Sequence, residues 1–164
     1  MQLISAHYPS QQILHISDLS NDLHEALYDY TKKRDFEYDL KTVGAEIEDD
    51  GFGRDHSGFA ASKLDLSAKG YNRHAKMYEN IFVTLEPACL ESQMDSFFKK
   101  SYRIMKNAGI IAVIVQRDAP ITKLVKEQLE KDNFVALNTI EIFDGYDVIT
   151  AKKMHGWGAY SVGF

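Results

Sequence analysis

Apolar residues along this chain fall into two alternating patterns: short runs, and longer stretches where they recur every three or four positions. The segment "QILHIS" (residues 12–17) reads as a strand, and Leu23, Ala26, Leu27 and Tyr30 then line one face of a helix. "EYDLKTVGAEI" supplies a second strand. In "YENIFVTLEP", Ile81, Phe82, Val83 and Leu85 form a compact run that stops at Pro87, as a buried parallel strand does. In "ESQMDSFFKKSYRIMKNAG", Met94, Phe97, Phe98, Ser101, Ile104, Met105 and Ala108 share a helical face. Ser92 is placed to cap that helix, with Asp95 three positions on, and Gly109 ends it. "IIAVIVQ" is apolar and β-branched throughout and predicts a central strand. Asp118 and Pro120 announce another helix, with Ile121, Leu124, Val125 and Leu129 inward. Finally, two strand-like runs meet around Asp144 and Gly145, the signature of a hairpin. The expected fold is α/β: a mostly parallel, doubly wound sheet closed by an antiparallel C-terminal β-hairpin.

The pattern dissolves in one place. From Glu46 to about Ala61, "EIEDDGFGRDHSGFA" carries three glycines and five acidic residues without a helical period. It predicts a mobile surface loop over 48–59 where a crossover helix is the usual solution. A short strand over Lys63–Leu66 and an irregular or helical stretch to Met77 lead on to the "NIFVTL" strand. With no internal repeat, the expected organisation is one domain over residues 1–153 and a C-terminal tail over 154–164.

Composition narrows the function classes. The 164 residues, 45% apolar, suffice for one real core. A formal charge of −5, with Lys and Arg dispersed, gives no footprint for a phosphate backbone, so nucleic acid is not an expected partner. No apolar run approaches the ~20 residues of a membrane span, and "MQLISAHYPS" lacks the order of a secretory signal. A soluble, cytoplasmic protein is expected, and the single Cys89 fits a reducing compartment.

The second half of the chain resembles the class I S-adenosylmethionine-dependent methyltransferase family, most strongly from Tyr78 to Lys153. There "YENIFVTL", "FFKKSYRIMKNAG", "IIAVIV" and "FDGYDVITAKK" are similar to the family's fourth strand, following helix, fifth strand and closing hairpin. The resemblance implies S-adenosylmethionine as cofactor. "TVGAEI" is similar to the end of the family's second strand and puts Glu46 on the ribose hydroxyls, while Asp65 matches the position facing the adenine. Asp18, with Ser20 or Asn21, then stands near the methionine end, and Glu86 lies where the family places substrate-facing residues. The departure is the first loop. Where the family has a glycine-rich turn this chain has "SDLSND", and no glycine stands between Ile13 and Leu40. Side chains at Leu19, Ser20 and Asn21 compete for cofactor volume. A plain structural role is also open: Ser20 or Asn21 caps the helix, with Asp22 and Glu25 favouring its dipole.

Other candidates carry less. "GFGRDHSG" misses the dinucleotide spacing. Glu48, Asp49, Asp50, Asp55 and His56 lack the alternating order of a calcium loop, and no histidine pair has zinc spacing. His15, between Leu14 and Ile16, reads as a packed or edge residue, and Cys89 has no evident His partner. "LEPA" is not the signature of methyltransferases that act on nucleic-acid bases. Two functions follow: a methyltransferase acting on a small molecule or protein, or a non-catalytic relative serving as an interaction module, with a homodimer among its forms. A nicotinamide-binding domain falls behind, because pyrophosphate needs the loop glycines more strictly.

Overall fold

A computed structural model describes residues 10–18, 22–44, 55–72 and 74–154. The element order is β1 (Gln12–Ser17), α1 (Asp22–Lys32), β2 (Glu37–Thr42), β3 (Phe59–Lys63), β4 (Tyr78–Thr84), α2 (Pro87–Ile104), β5 (Met105–Gln116), α3 (Ile121–Lys131), β6 (Phe134–Phe143) and β7 (Tyr146–Lys153). These strands form one seven-stranded sheet in the order β3-β2-β1-β4-β5-β7-β6. The pairs β1–β2, β1–β4, β2–β3 and β4–β5 are parallel, and β7 runs antiparallel to both neighbours. The expected α/β sheet with its closing hairpin is therefore present. Gly145, at φ +79°, supplies the left-handed residue that the two-residue turn needs.

Period-two alternation sorts each strand onto two faces. On one face Leu14, Ile16, Ile81, Val83, Ile111, Val113 and Ile149 pack under α2 and α3. On the other, Ile13, Tyr38, Leu40, Phe82, Ala112 and Val148 cluster with Leu27 and Tyr28 of α1. The sheet is thus covered from both sides, which its apolar central strands require.

Four sequence expectations shift. First, α2 starts at Pro87, not at Ser92: proline fits the first turn because its missing N–H would have had no helical partner there. The Ser92 hydroxyl donates instead to the Cys89 carbonyl. Second, α2 ends at Ile104, and Met105 already pairs with Tyr78. Ala108 and Gly109 lie in an irregular stretch of β5, where the register shifts between Tyr78 and Asn80. A Cβ at Gly109 would stand 2.9 Å from the Lys106 carbonyl and 3.0 Å from that of Glu79, so this glycine permits a close backbone approach inside the sheet. Third, β3 covers Phe59–Lys63, earlier than Lys63–Leu66. Leu64, Leu66 and Tyr71 are buried in the α2-side core from an irregular segment. Fourth, Leu124 is 39% exposed rather than inward.

Of the expected loop over 48–59, residues 48–54 lie outside the described residues, as does the tail from 155. The rest of it is tied down. His56 is buried with Nε2 3.2 Å from the Thr31 hydroxyl, Asp55 accepts from Tyr28 and Lys32, and Gly58 accepts the Tyr38 amide at 2.8 Å.

Candidate ligand site at the β1–β4 switch

The chain leaves β1 towards β2 and β3, then returns to β4 and continues the other way, so β1 and β4 flank the point where strand order reverses. In open α/β sheets a crevice forms there, beyond the carboxyl ends of the strands. Its floor is the ends of these parallel strands. The Asp18 amide donates to the Thr84 carbonyl at 3.4 Å, Val43 to Ser17 at 2.8 Å, and Leu64 to Thr42 at 2.8 Å.

Asp18 is the acidic residue of this floor and is partly buried. Its Oδ2 accepts the backbone N–H of Glu86, which sits at the N-cap of α2. Its Oδ1 is buried and has no hydrogen-bond partner. A buried carboxylate oxygen left unpaired is costly, and a cation brought against it relieves that cost. Cys89, in the first turn of α2, is close enough to respond: burial, and then the Asp18 charge, push its thiol pKa up. A nucleophilic cysteine needs the opposite shift, so Cys89 is a packing residue here.

The expected site residues separate as follows. Asp18 and Glu86 meet, but through the Glu86 amide, while the Glu86 side chain is exposed. Asp65 follows β3 and is exposed. Its Oδ1 accepts the Ser67 amide at 2.8 Å and hydroxyl at 2.7 Å, and these bonds hold its carboxyl below the usual range. Ser20 and Glu46 lie outside the described residues, as do Glu48, Asp49 and Asp50 of the acidic run. Among the described residues, no group of three His, Cys, Asp or Glu could hold a metal ion. Nor is any helix among them long and apolar enough to cross a membrane.

Sequence reasoning missed a second feature, a buried polar chain under the crevice on the α1 side. The Tyr38 hydroxyl lies 2.9 Å from His24 Nδ1 and 3.0 Å from His15 Nδ1. His15 Nε2 lies 2.8 Å from the Thr84 hydroxyl, which lies 2.9 Å from that of Ser17. His15 is fully buried, and burial first, then nearby His24, lowers its pKa to about 3. Burial raises that of Tyr38. The sequence carried one signal for this chain: His15 and Ser17 occupy alternate positions at the end of β1, so two polar groups share the α1 face.

No family profile matches the chain, and no curated protein matches it. Solved structures do. CurJ carbon methyltransferase superposes with a TM-score of 0.74 at 11% identity, over 94% of this chain and 51% of that one. The carbon methyltransferase domain of the citrinin polyketide synthase gives 0.73 at 10% identity, over 89% and 47%. A TehB-like S-adenosylmethionine-dependent methyltransferase from Corynebacterium glutamicum gives 0.65 at 12% identity, over 90% and 83%. The chain spans about half the length of the first two. The Burkholderia thailandensis 1,6-didemethyltoxoflavin-N1-methyltransferase, solved with S-adenosylhomocysteine, gives 0.63 at 11% identity, over 91% and 74%.

At such identities the likeness concerns architecture alone, and it coincides with the strand order and reversed β7 described above. Beyond β2, Gly44 at φ +74° leaves open space where a Cβ would stand, so backbone is accessible on that side. The chain has the class I S-adenosylmethionine-dependent methyltransferase-like fold.

Proposed function

We propose that the crevice between β1 and β4 binds S-adenosylmethionine and that the chain transfers its methyl group to a small molecule or protein. The observation that carries this reading is Asp18: one carboxylate oxygen is fixed by the Glu86 amide and the other is buried without a partner at the switch point. Bound there, the cofactor supplies an electrophilic methyl on a sulfonium. The residues of the chain then have to position and desolvate, because the reaction depends on in-line approach and exclusion of water. In this reading Asp18 holds the ammonium, Ser20 adds a hydroxyl contact, Glu46 takes the ribose, Asp65 stands near the adenine and Glu86 lines the substrate side. A cytoplasmic setting and a homodimer belong to the same proposal.

Calorimetric titration of S-adenosylmethionine tests it. Sub-micromolar binding, weakened roughly tenfold or more by Asp18→Asn and by Glu46→Ala, is the expected result, since each removes a charge-assisted contact of ~1.5–3 kcal/mol. A second reading has its own support: the first loop carries no glycine, and the Ser17 hydroxyl before it is engaged with Thr84. No heat with the natural protein would favour this second reading, a fold that has lost its cofactor and serves as an interaction module.

A further inference from the structure

We propose that His56 is an acid-sensitive latch that fastens the turn ahead of β3 to α1: as a neutral imidazole it locks the β3 edge onto the sheet, and as an imidazolium it releases that edge.

Donor accounting carries the inference. His56 is 4% exposed, with Nε2 3.2 Å from the Thr31 hydroxyl and Nδ1 3.3 Å from the Gly58 amide nitrogen. The one proton of the Thr31 hydroxyl is directed at the helix carbonyls of Leu27 and Tyr28, 2.8 and 3.0 Å away, so its oxygen is left to accept. The Gly58 N–H can only donate. Both neighbours therefore require the same state, a neutral ring with its proton on Nε2. A second proton would stand on Nδ1 against the Gly58 N–H, donor facing donor in a buried place.

The seat is tight. The Tyr28 ring stands edge-on with centroids 5.5 Å apart, and a Cβ at Gly58 would lie 3.1 Å from His56 Cε1 and 2.9 Å from the Phe36 carbonyl. The charged groups facing the imidazole are Asp35, Asp55 and Lys32. The two carboxylates favour an imidazolium, but Asp55 already binds the Lys32 ammonium and the Tyr28 hydroxyl, and Lys32 itself opposes a second cation. Burial outweighs the carboxylates and lowers the pKa of His56 from the ordinary 6.5. Docking is therefore complete above about 6.5 and weakens as pH falls below it.

Release has a defined structural consequence. The His56 carbonyl accepts the Phe59 amide at 3.1 Å and the Gly58 carbonyl accepts the Tyr38 amide at 2.8 Å, so this turn carries the first bonds of β3. β3 is the outermost strand and pairs only with β2. Undocking frays the sheet from the Tyr38–Phe59 end and loosens the strand that leads into Asp65, while β1, β4 and β5 stay packed.

The test uses the full chain without ligand, labelled with 15N. Imidazole nitrogen shifts at pH 7.5 should show His56 protonated on Nε2 alone. Amide exchange protection at Tyr38, taken relative to Phe82 of central strand β4 so that global unfolding cancels, should fall roughly threefold or more between pH 7 and 5. His56→Gln keeps an amide donor for Thr31 and cannot titrate, so its relative protection should be flat over that range. Thr31→Val removes the acceptor and should lower Tyr38 protection already at pH 7, and Thr31→Ser should restore it. A proton on Nδ1 at pH 7.5, a wild-type Tyr38 that ignores pH, an equal fall in His56→Gln, or full protection in Thr31→Val overturns the latch. These readings need no cofactor, so calorimetric failure of the methyl-transfer reading leaves them standing.

Discussion

The carboxylate of Asp18, at the end of β1, accepts the backbone amide of Glu86, 68 residues later at the head of α2. One side chain thus ties together the two strands flanking the switch point, and its second oxygen has no hydrogen-bond partner.

Two substitutions separate those roles. Asp18→Asn retains an oxygen for the Glu86 amide and should cost little stability. Asp18→Ala leaves that amide unpaired and should cost about 1–2 kcal/mol. Both should weaken cofactor binding. Urea unfolding beside calorimetry checks this, and equal destabilisation by the two would contradict the assigned geometry.

His15 predicts a dependence of stability on acid. Its pKa of about 3 in the fold lies below the ordinary 6.5, so the unfolded chain binds a proton over that window and the folded chain does not. Stability is therefore whole above about 6.5 and falls as pH drops towards about 3, with a slope of up to ~1.4 kcal/mol per pH unit from this residue. His15→Leu should flatten that slope between pH 6 and 4, measured by denaturant midpoints. An unaltered slope would assign the acid sensitivity elsewhere.

Lys153 closes the end of α2. Its buried ammonium donates to the carbonyls of Tyr102 at 2.6 Å and Met105 at 2.8 Å, and lies over the Tyr102 ring. A cation there complements the helix dipole and satisfies carbonyls that have no helical donor. Lys153→Met keeps the packing of the stem and removes the donor; a loss of about 2–3 kcal/mol is expected. A thermal melt within about 1 °C of wild type would show that water replaces it.

Gly109→Ala should destabilise by about 1–3 kcal/mol, because the three nearest atoms to the new methyl are backbone oxygens of Lys106, Glu79 and Tyr78 that cannot rotate away. Gly70→Ala, where the nearest atoms stand at 3.7 and 3.8 Å, is the control and should be close to neutral. Equal midpoints for the two variants would refute the close approach.

The sequence by itself determined the order of elements. Runs such as Ile111–Val115 and the spacing of Met94, Phe97, Phe98 and Ser101 encode strand and helix through burial periods that hold in any tertiary setting. It also carried Asp18 and Glu86 as residues of one region, through their places after β1 and β4. Element limits were less legible. Helix α2 could run through Met105 and Ala108 by periodicity, and only pairing of Met105 with Tyr78 pulls the chain into β5. What the tertiary structure alone decided is which polar atoms meet. Nothing in the spacing of His15, His24, Tyr38 and Thr84 joins them, since they come from β1, α1, β2 and β4. The parallel register sets His15 beside Leu40 and Phe82, places Tyr38 one pleat below, and so lets its hydroxyl reach both rings. Hydrogen-bond partners are chosen by distances of a few ångströms in the folded sheet, whereas the sequence pattern records only which face is buried.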